Sequence, residues 1–273
     1  MVTPRWAPND IPVDRPSAAR MYDYYLGGSH NFEVDRKMAE QAIALWPDLP
    51  LIMQANRAFL RRAVKYLIDQ GIEQFLDIGS GIPTVGNVHE VAQRANPSAR
   101  VVYVDIDPIA VAHSTAILQG TSNVAAIQAD VRTPEEILKH SQVGALLDFG
   151  QPVAVMLLAL LHFITDDAEA HASVRVLREA VKPGSYLAIS HASYEGMPEK
   201  SREHEQLYAR TPNPLKTRSR AEIERFFDGF ELVEPGLVYL PVWRPEEQGD
   251  DPFRGQPERS TGFAGVGRKT ARS

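Results

Sequence analysis

Short apolar runs alternate with helix-like segments between residues 71 and 190, and this alternation limits the possible folds more than any other feature of the sequence. The runs at 101–104 and 153–158 are apolar throughout, so both faces of each strand must be buried. Buried strands that alternate with helices are typical of a parallel sheet covered by helices. The pattern therefore predicts a doubly wound α/β domain.

The other predicted elements follow from the same periodicity. We expect strands at 74–78, 100–105, 123–128, 153–158 and 185–190, and helices at 85–95, 108–118, 134–140 and 168–181. Ser219 and Glu222 have the spacing of a capping box, which predicts a helix at 221–227. Two late strands, at 237–242 and 262–267, are expected to close the sheet as an antiparallel pair.

Three helices are predicted before the sheet. Ser17 can cap a short first helix, and Gly27 with Gly28 can end it because glycine accepts the left-handed conformation. A second helix is predicted at 34–45, ending before Trp46 and Pro47, and an amphipathic pattern predicts a third at 51–70. The first 16 residues are rich in proline and are expected to form an extended arm.

Composition excludes several classes of protein. The chain has 273 residues, 44% of them hydrophobic and none of them cysteine, which predicts a globular protein without disulfides or thiolate chemistry. A net charge of -6 disfavours nucleic-acid binding, which depends on neutralising phosphates. No apolar run approaches the roughly 20 residues of a membrane helix, and the N-terminus lacks the apolar core of a secretory signal. We expect a cytoplasmic protein with no nucleic-acid or membrane partner and no metal site.

The stretch FLDIGSGIPTVG, at 75–86, marks the candidate site. Its strand carries Asp77, and Gly79 and Gly81 stand in the turn that follows. In doubly wound folds, ligands bind at the carboxyl ends of the strands, and glycine lets the backbone approach them closely. A tight turn that holds no ligand is the alternative interpretation.

Two further strands end in acidic residues. Asp105 lies about 20 residues beyond the glycine turn, where an acid can accept hydrogen bonds from both ribose hydroxyls. Asp130 ends the third strand and could accept the exocyclic amine of an adenine. Together the three acids indicate an adenosine-bearing ligand.

The glycine spacing separates two kinds of adenosine cofactor. A dinucleotide site has a third glycine where this chain has Thr84. The arrangement acid-x-Gly-x-Gly, here Asp77 to Gly81, suits a cationic amino-acid tail better than an anionic diphosphate. An NAD(P)-dependent oxidoreductase therefore stays as the alternative enzyme, and a non-catalytic cofactor-binding or regulatory protein as the alternative of another class.

The segments FLDIGSGIPT, VVYVDIDP and QADVR resemble the cofactor motifs of class I S-adenosylmethionine-dependent methyltransferases. More closely, ARMYDYYLGGSHNFEVDR, NRAFLRRAVKYL, GSYLAISHAS and FFDGFELVEPGLVYLPVW resemble a poorly characterised methyltransferase family abundant in actinobacteria. The resemblance runs from about Pro16 to Lys269, with one departure at Pro83, where many class I enzymes have a third glycine.

The resemblance implies a Rossmann-like doubly wound sheet of seven strands, mostly parallel with an antiparallel last strand. Residues 71–273 would form the methyltransferase domain, and residues 1–70 an arm and helical cap of the same domain. S-adenosylmethionine would be the cofactor. Its methionine part would contact Asp77, Gly79 and Gly81. Its ribose would lie near Asp105 and Ile106, and its adenine near Asp130 and Val131.

The cap and the fourth strand supply the remaining candidates. Tyr22 and Gly28 could belong to a lid that excludes water from the cofactor, and Arg57 or Arg20 could bind the cofactor carboxylate. His162, after the fourth strand, could line the site of a small-molecule methyl acceptor or act as a general base. A buried structural histidine is an equally good interpretation of His162, and the same doubt applies to His191.

Overall fold

Eight strands form one sheet in the computed structural model, which describes residues 14–82, 86–195, 197–246, 252–253 and 255–271. The strand order is β3-β2-β1-β4-β5-β8-β6, and β7 pairs with β8 beside this path. The strands are β1 (Gln74–Ile78), β2 (Arg100–Asp105), β3 (Val124–Gln128), β4 (Ala154–Leu158), β5 (Tyr186–Ala192), β6 (Phe230–Leu232), β7 (Val238–Tyr239) and β8 (Gly262–Lys269).

Ten α-helices accompany the sheet in the described part of the chain. Three precede the sheet and are called the helical cap: α1 (Ala18–Tyr25), α2 (Glu33–Leu45) and α3 (Leu49–Asp69). The others are α4 (Val88–Ala95), α5 (Pro108–Ile117), α6 (Pro134–Lys139), α7 (Ser141–Leu146), α8 (Asp167–Ala180), α9 (Pro198–Tyr208) and α10 (Arg220–Glu224). Among these helices, none combines the length and apolar character needed to cross a membrane.

The first five strands run parallel, and the chain changes direction across the sheet at β1. It passes from β1 outward through β2 to β3, then returns to place β4 and β5 on the other side of β1. The carboxyl ends of β1 and β4 therefore border the crevice at which ligands bind in such sheets.

The antiparallel last strand is confirmed, since β8 runs against both β5 and β6. The predicted strand at 237–242 is wrong in extent: only Val238–Tyr239 pair with β8, and Leu240–Val242 form a 3-10 turn that contains Pro241. Proline lacks the amide hydrogen that a ladder needs. The short edge strand β6, which was not predicted, takes the outer position beyond β8.

Alternate strand residues divide the core between the two faces of the sheet. Phe75, Val101 and Met156 pack with residues of the cap on one face. Leu76 and Val102 pack with residues of α6, α7 and α8 on the other. The helical cap thus shares a core with the sheet. Pro83, Thr84, the predicted helix start at 85 and most of the predicted arm lie outside the described residues.

Candidate functional site

A cleft with about 1320 Å³ of empty space, part of it open to solvent, lies at the carboxyl ends of the strands. We call it the strand-end cleft. Residues from the ends of β1 to β4 and from the cap helices α1 and α3 line it. The predicted site residues that it brings together are Tyr22, Arg57, Asp77, Gly79, Gly81, Asp105, Ile106, Asp130 and Val131.

The glycine turn after β1 has a conformation that favours glycine. Gly79 and Gly81 have φ values of 74° and 66°, in the left-handed region. A Cβ on Gly79 would stand 2.6 Å from a methyl carbon of Leu160, whereas a Cβ on Gly81 would meet open space. The amide of Gly79 donates to the Val104 carbonyl at 2.7 Å, which holds the turn against β2.

Asp105 joins the end of β2 to this turn. Its Oδ2 accepts the Gly81 amide at 2.7 Å, and its Oδ1 accepts the Asp107 amide at 2.8 Å. Burial raises the pKa of Asp105 to about 6, although both hydrogen bonds act in the opposite direction. Each carboxylate oxygen keeps a further lone pair, so Asp105 can still accept bonds from hydroxyl groups.

Asp77 and Arg57 are groups of opposite charge that both line the strand-end cleft. Asp77 is only 4% exposed, and burial raises its pKa to about 7. The Arg57 guanidinium lowers that pKa, and the Asp105 carboxylate raises it. Arg57 donates from Nη2 to Asn87 at 2.8 Å, but its buried Nε has no partner among the described residues. The pair could bind a zwitterion, with Asp77 facing an ammonium and Arg57 a carboxylate.

The far end of the cleft combines an apolar surface with an acid. Ile106 is 48% exposed there, and the buried Val131 lies beside Asp130. Burial acts to raise the pKa of Asp130, but hydrogen bonds from Arg132 outweigh it and keep the pKa below its usual value. The Nε of Arg132 donates to Asp130 Oδ2 at 2.9 Å, so this carboxylate already has a cationic partner.

Arg20 lies outside the cleft lining and takes part in a buried ion network. Its Nε donates to Asp35 at 2.8 Å, and its Nη1 lies 3.6 Å from Asp107. The hydroxyl of Ser17 also donates to Asp107, which caps α5 by accepting the Ile109 amide at 2.8 Å. The start of α1 is thereby attached to the element that follows Asp105.

Gly28 is not among the residues that line the cleft. A Cβ on this glycine would overlap the buried carboxylate of Asp23. That carboxylate accepts the His30 amide at 2.8 Å and an Asn31 side-chain hydrogen at 2.9 Å. The geometry therefore explains Gly28 by the packing of the loop between α1 and α2.

His162 lines a second cavity, with about 680 Å³ of empty space, that adjoins the strand-end cleft. Five residues line both spaces, namely Ala18, Tyr22, Asn56, Ala159 and Phe163. Burial, followed by the neighbouring His191, lowers the pKa of His162 well below its usual value, so its ring is neutral at pH 7. Its Nδ1 accepts the Ala192 amide at 3.4 Å, which assigns the ring hydrogen to Nε2.

His191 also lines the second cavity, and both of its ring nitrogens have partners. Nε2 lies 3.0 Å from Nη1 of Arg218, and Nδ1 lies 2.7 Å from the Ala192 carbonyl. Arg218 can only donate and the carbonyl can only accept, so the neutral ring carries its hydrogen on Nδ1. Burial lowers the pKa of His191 to about 3. The structural interpretation of this histidine fits its contacts best.

Asn56 is a site residue that the sequence analysis missed. Its Nδ2 donates to the Tyr22 hydroxyl at 2.9 Å, and its Oδ1 accepts the Ser190 hydroxyl at 2.6 Å. It lies in the same helix as Arg57, one residue earlier, and only the packing of α3 over the strand ends turns it inward. A buried polar position on an otherwise apolar helix face is the signal that could have identified it.

Known proteins resemble this chain over almost its whole length. The family described as S-adenosyl methyltransferase matches residues 4–270. A methyltransferase candidate from Thermobifida fusca is 44% identical, with a TM-score of 0.91, and the match covers 98% of this chain and 100% of that one. A DUF574 family protein from Streptomyces avermitilis is 39% identical, with a TM-score of 0.89 and coverage of 94% and 98%.

A more distant structure shares the fold alone. An O-methyltransferase family protein from Burkholderia thailandensis is 13% identical, with a TM-score of 0.52, over 95% of this chain and 66% of that one. None of the curated proteins compared with the chain matches it. Because the family match spans almost the whole sequence, the chain belongs to the S-adenosyl methyltransferase family.

Proposed function

We propose that this S-adenosylmethionine-dependent methyltransferase modifies a small molecule, and that the strand-end cleft holds the cofactor. One observation carries the assignment of the site: the carboxyl groups of Asp77 and Asp105 lie with the glycine turn in a single cleft. Strand-end carboxylates beside a turn that a ligand can approach suit an adenosine with a cationic tail.

The residues present fit the amino-acid end of the cofactor. Asp77 needs added positive charge to ionise fully at neutral pH, and the cofactor ammonium would supply it. The orphaned Nε of Arg57 would donate to the cofactor carboxylate. Tyr22, from the cap, would cover this end of the cofactor.

The other end of the cleft fits a nucleoside. We assign the ribose hydroxyls to Asp105 and the adenine ring to the apolar surface of Ile106 and Val131. Asp130 would accept the exocyclic amine, with Arg132 keeping the carboxylate ionised. Gly28 receives no role in binding.

When bound, the cofactor would supply a methyl group on cationic sulfur. The lone pair of the acceptor atom would bond to the methyl carbon while the electron pair of the broken carbon–sulfur bond stays on sulfur. The acceptor's proton would leave through the part of the strand-end cleft that is open to solvent. The protein orients the two reactants and excludes water from the reacting atoms. We assign His162 the role of a hydrogen-bond donor to the acceptor, because the Ala192 amide occupies the nitrogen that would act as a base.

A substitution at Asp105 tests the assignment of the cleft. Asp105→Ala should weaken S-adenosylhomocysteine binding at least about tenfold in calorimetry, because it removes a charged hydrogen-bond acceptor. Asp148→Ala is the matched control: Asp148 also accepts a backbone amide, that of Gly150, but it lies near the amino end of β1. NAD should not bind the wild-type protein.

The assignment fails if Asp105→Ala keeps both its fold and its affinity for S-adenosylhomocysteine. A labelled-methyl transfer screen over cell metabolites tests catalysis itself. Cofactor binding without transfer to any metabolite would favour a binding or regulatory role over an enzymatic one.

A further inference from the structure

The second cavity has about 680 Å³ of empty space, part of it open to solvent. It lies between the helical cap, the end of β5 and helix α9. Since it shares residues with the strand-end cleft, a molecule within it would lie next to the cofactor.

The lining of the second cavity is electrically neutral. Among the described residues that line it there is no Asp, Glu, Lys or Arg. Burial lowers the pKa of His204 to about 4 and raises that of Tyr208 to about 12. Burial also lowers the pKa of His162 and His191 and raises that of the other lining tyrosines, Tyr22, Tyr25 and Tyr194. A charged group placed here would be buried without a counterion, which is costly.

Aromatic rings make up much of the wall. Phe163 faces Tyr208 with ring centroids 6.2 Å apart, and the rings of Tyr25 and Tyr194 also line the cavity. Aliphatic side chains complete the surface, namely Leu49, Ile52, Met53, Leu215 and Leu240. Aromatic side chains suit a flat aromatic ligand, which they can contact by face or by edge.

Neutral hydrogen-bonding groups lie where the second cavity meets the strand-end cleft. The Ala159 amide donates to Ser190 at 2.9 Å, Ser190 donates to Asn56 at 2.6 Å, and Asn56 donates to Tyr22 at 2.9 Å. Asn56 Nδ2 has a second hydrogen, and His162 carries its hydrogen on Nε2. Both can donate to an uncharged oxygen.

We propose that the second cavity binds the methyl acceptor, and that this acceptor is an uncharged aromatic molecule bearing a hydroxyl group. The inference rests on the proposed function, because it takes the strand-end cleft as the cofactor site. The aromatic part occupies the space between the cap and α9, and the hydroxyl lies at the boundary formed by Tyr22 and Asn56. Methyl transfer to its oxygen follows the step given above.

The test compares neutral and charged probes of matched shape. The full chain, saturated with S-adenosylhomocysteine and labelled with carbon-13 at its methionine methyls, is titrated at neutral pH with phenol, p-cresol and p-phenylphenol. Benzoate, p-toluate and p-phenylbenzoate are the charged counterparts. We expect a neutral probe to shift the Met53 methyl signal saturably, and its carboxylate partner to bind at least about tenfold more weakly.

Two variants locate the binding. Met53→Trp fills the second cavity from α3 and should abolish binding of the neutral probe, which is measured by calorimetry because this variant lacks the Met53 methyl. Met38→Trp makes the same exchange on α2, outside both spaces, and should leave the binding unchanged. If Met53→Trp does not fold, the comparison of neutral and charged probes on the wild-type protein still tests the proposal.

The proposal is overturned if no neutral probe shifts the Met53 signal, or if the carboxylates bind as tightly as the phenols. Calorimetry with S-adenosylhomocysteine separates this failure from that of the proposed function. Cofactor binding without phenol binding contradicts only the assignment of the second cavity. Loss of cofactor binding contradicts the proposed function, and the titration is then repeated without S-adenosylhomocysteine.

Discussion

At the scale of single residues, Asp77 should make cofactor binding depend on pH. Its pKa of about 7 in the folded chain lies above the usual value of 3.8, so the fold favours the protonated carboxyl. This contributes stability below about pH 4 that is lost as the pH rises towards 7. A bound ammonium favours the ionised form instead, and Asp105, with a pKa of about 6, ionises over the same range.

We therefore expect the affinity for S-adenosylhomocysteine to rise about tenfold from about pH 5.5 to about pH 8. Asp77→Asn should reduce this rise to the part that Asp105 contributes. Calorimetry at several pH values, corrected for buffer ionisation, measures both. An affinity that stays level in the wild-type protein, or that rises as steeply in the variant, would contradict the role given to Asp77.

The predictability of the candidate site also differs from residue to residue. Asp77, Asp105 and Asp130 could be predicted because the carboxyl ends of parallel strands meet at one edge of a sheet. Tyr208 could not, since it reaches the second cavity only through the packing of α9 against the cap and the sheet. Long-range packing of this kind leaves no periodicity in the sequence.

At the scale of elements, the ion network at the start of α1 should stabilise the cap. Arg20 lies between the carboxylates of Asp35 and Asp107, and all three side chains are buried. Arg20→Ala leaves two buried carboxylates without their cation. Breaking a buried pair in this way costs about 3 to 5 kcal/mol. Thermal unfolding should show a lower midpoint, and S-adenosylhomocysteine should bind more weakly, because α1 lines the strand-end cleft.

Lys37→Ala provides the control for this variant. Lys37 pairs with Glu33 on the exposed surface of α2, where water screens the charges. The unfolding midpoint of this variant should equal that of the wild-type protein. Equal midpoints for Arg20→Ala and the wild type would show that the network does not hold the cap.

The ranges of β1 and β2 agree with their predictions residue for residue, because apolar residues form the buried centre of each strand. Helices α7 and α9 were not predicted. In α9 only His204, Leu207 and Tyr208 are buried, too few to form an apolar stripe. The three-residue strand β6 is likewise too short to show alternation.

At the scale of the whole molecule, the cap and the sheet should unfold together. Arg62 of α3 donates to the carbonyls of Trp243 and Leu240 at 2.8 and 2.7 Å, and Phe59 packs edge-on against the Trp243 ring. These contacts join the cap to the segment that leads into β8. Trp46, at the end of α2, is buried in the same core.

Two single-tryptophan variants test this cooperativity. One retains Trp46 and the other Trp243, and the other tryptophans, including Trp6, are replaced by Phe. Denaturant unfolding followed by fluorescence should give the same midpoint in both variants, apart from the stability change that each replacement causes. In each variant the fluorescence transition should coincide with the loss of helical circular dichroism. Two separated transitions within one variant would mean that the cap unfolds independently of the sheet.

The wall that Tyr22 and Asn56 form between the two spaces has a consequence for enzyme kinetics. With the cofactor and the acceptor bound as proposed, a change at either residue alters the surroundings of both at once. Initial rates of a variant such as Tyr22→Phe therefore have to be measured over a grid of both concentrations, because the two Michaelis constants should shift together.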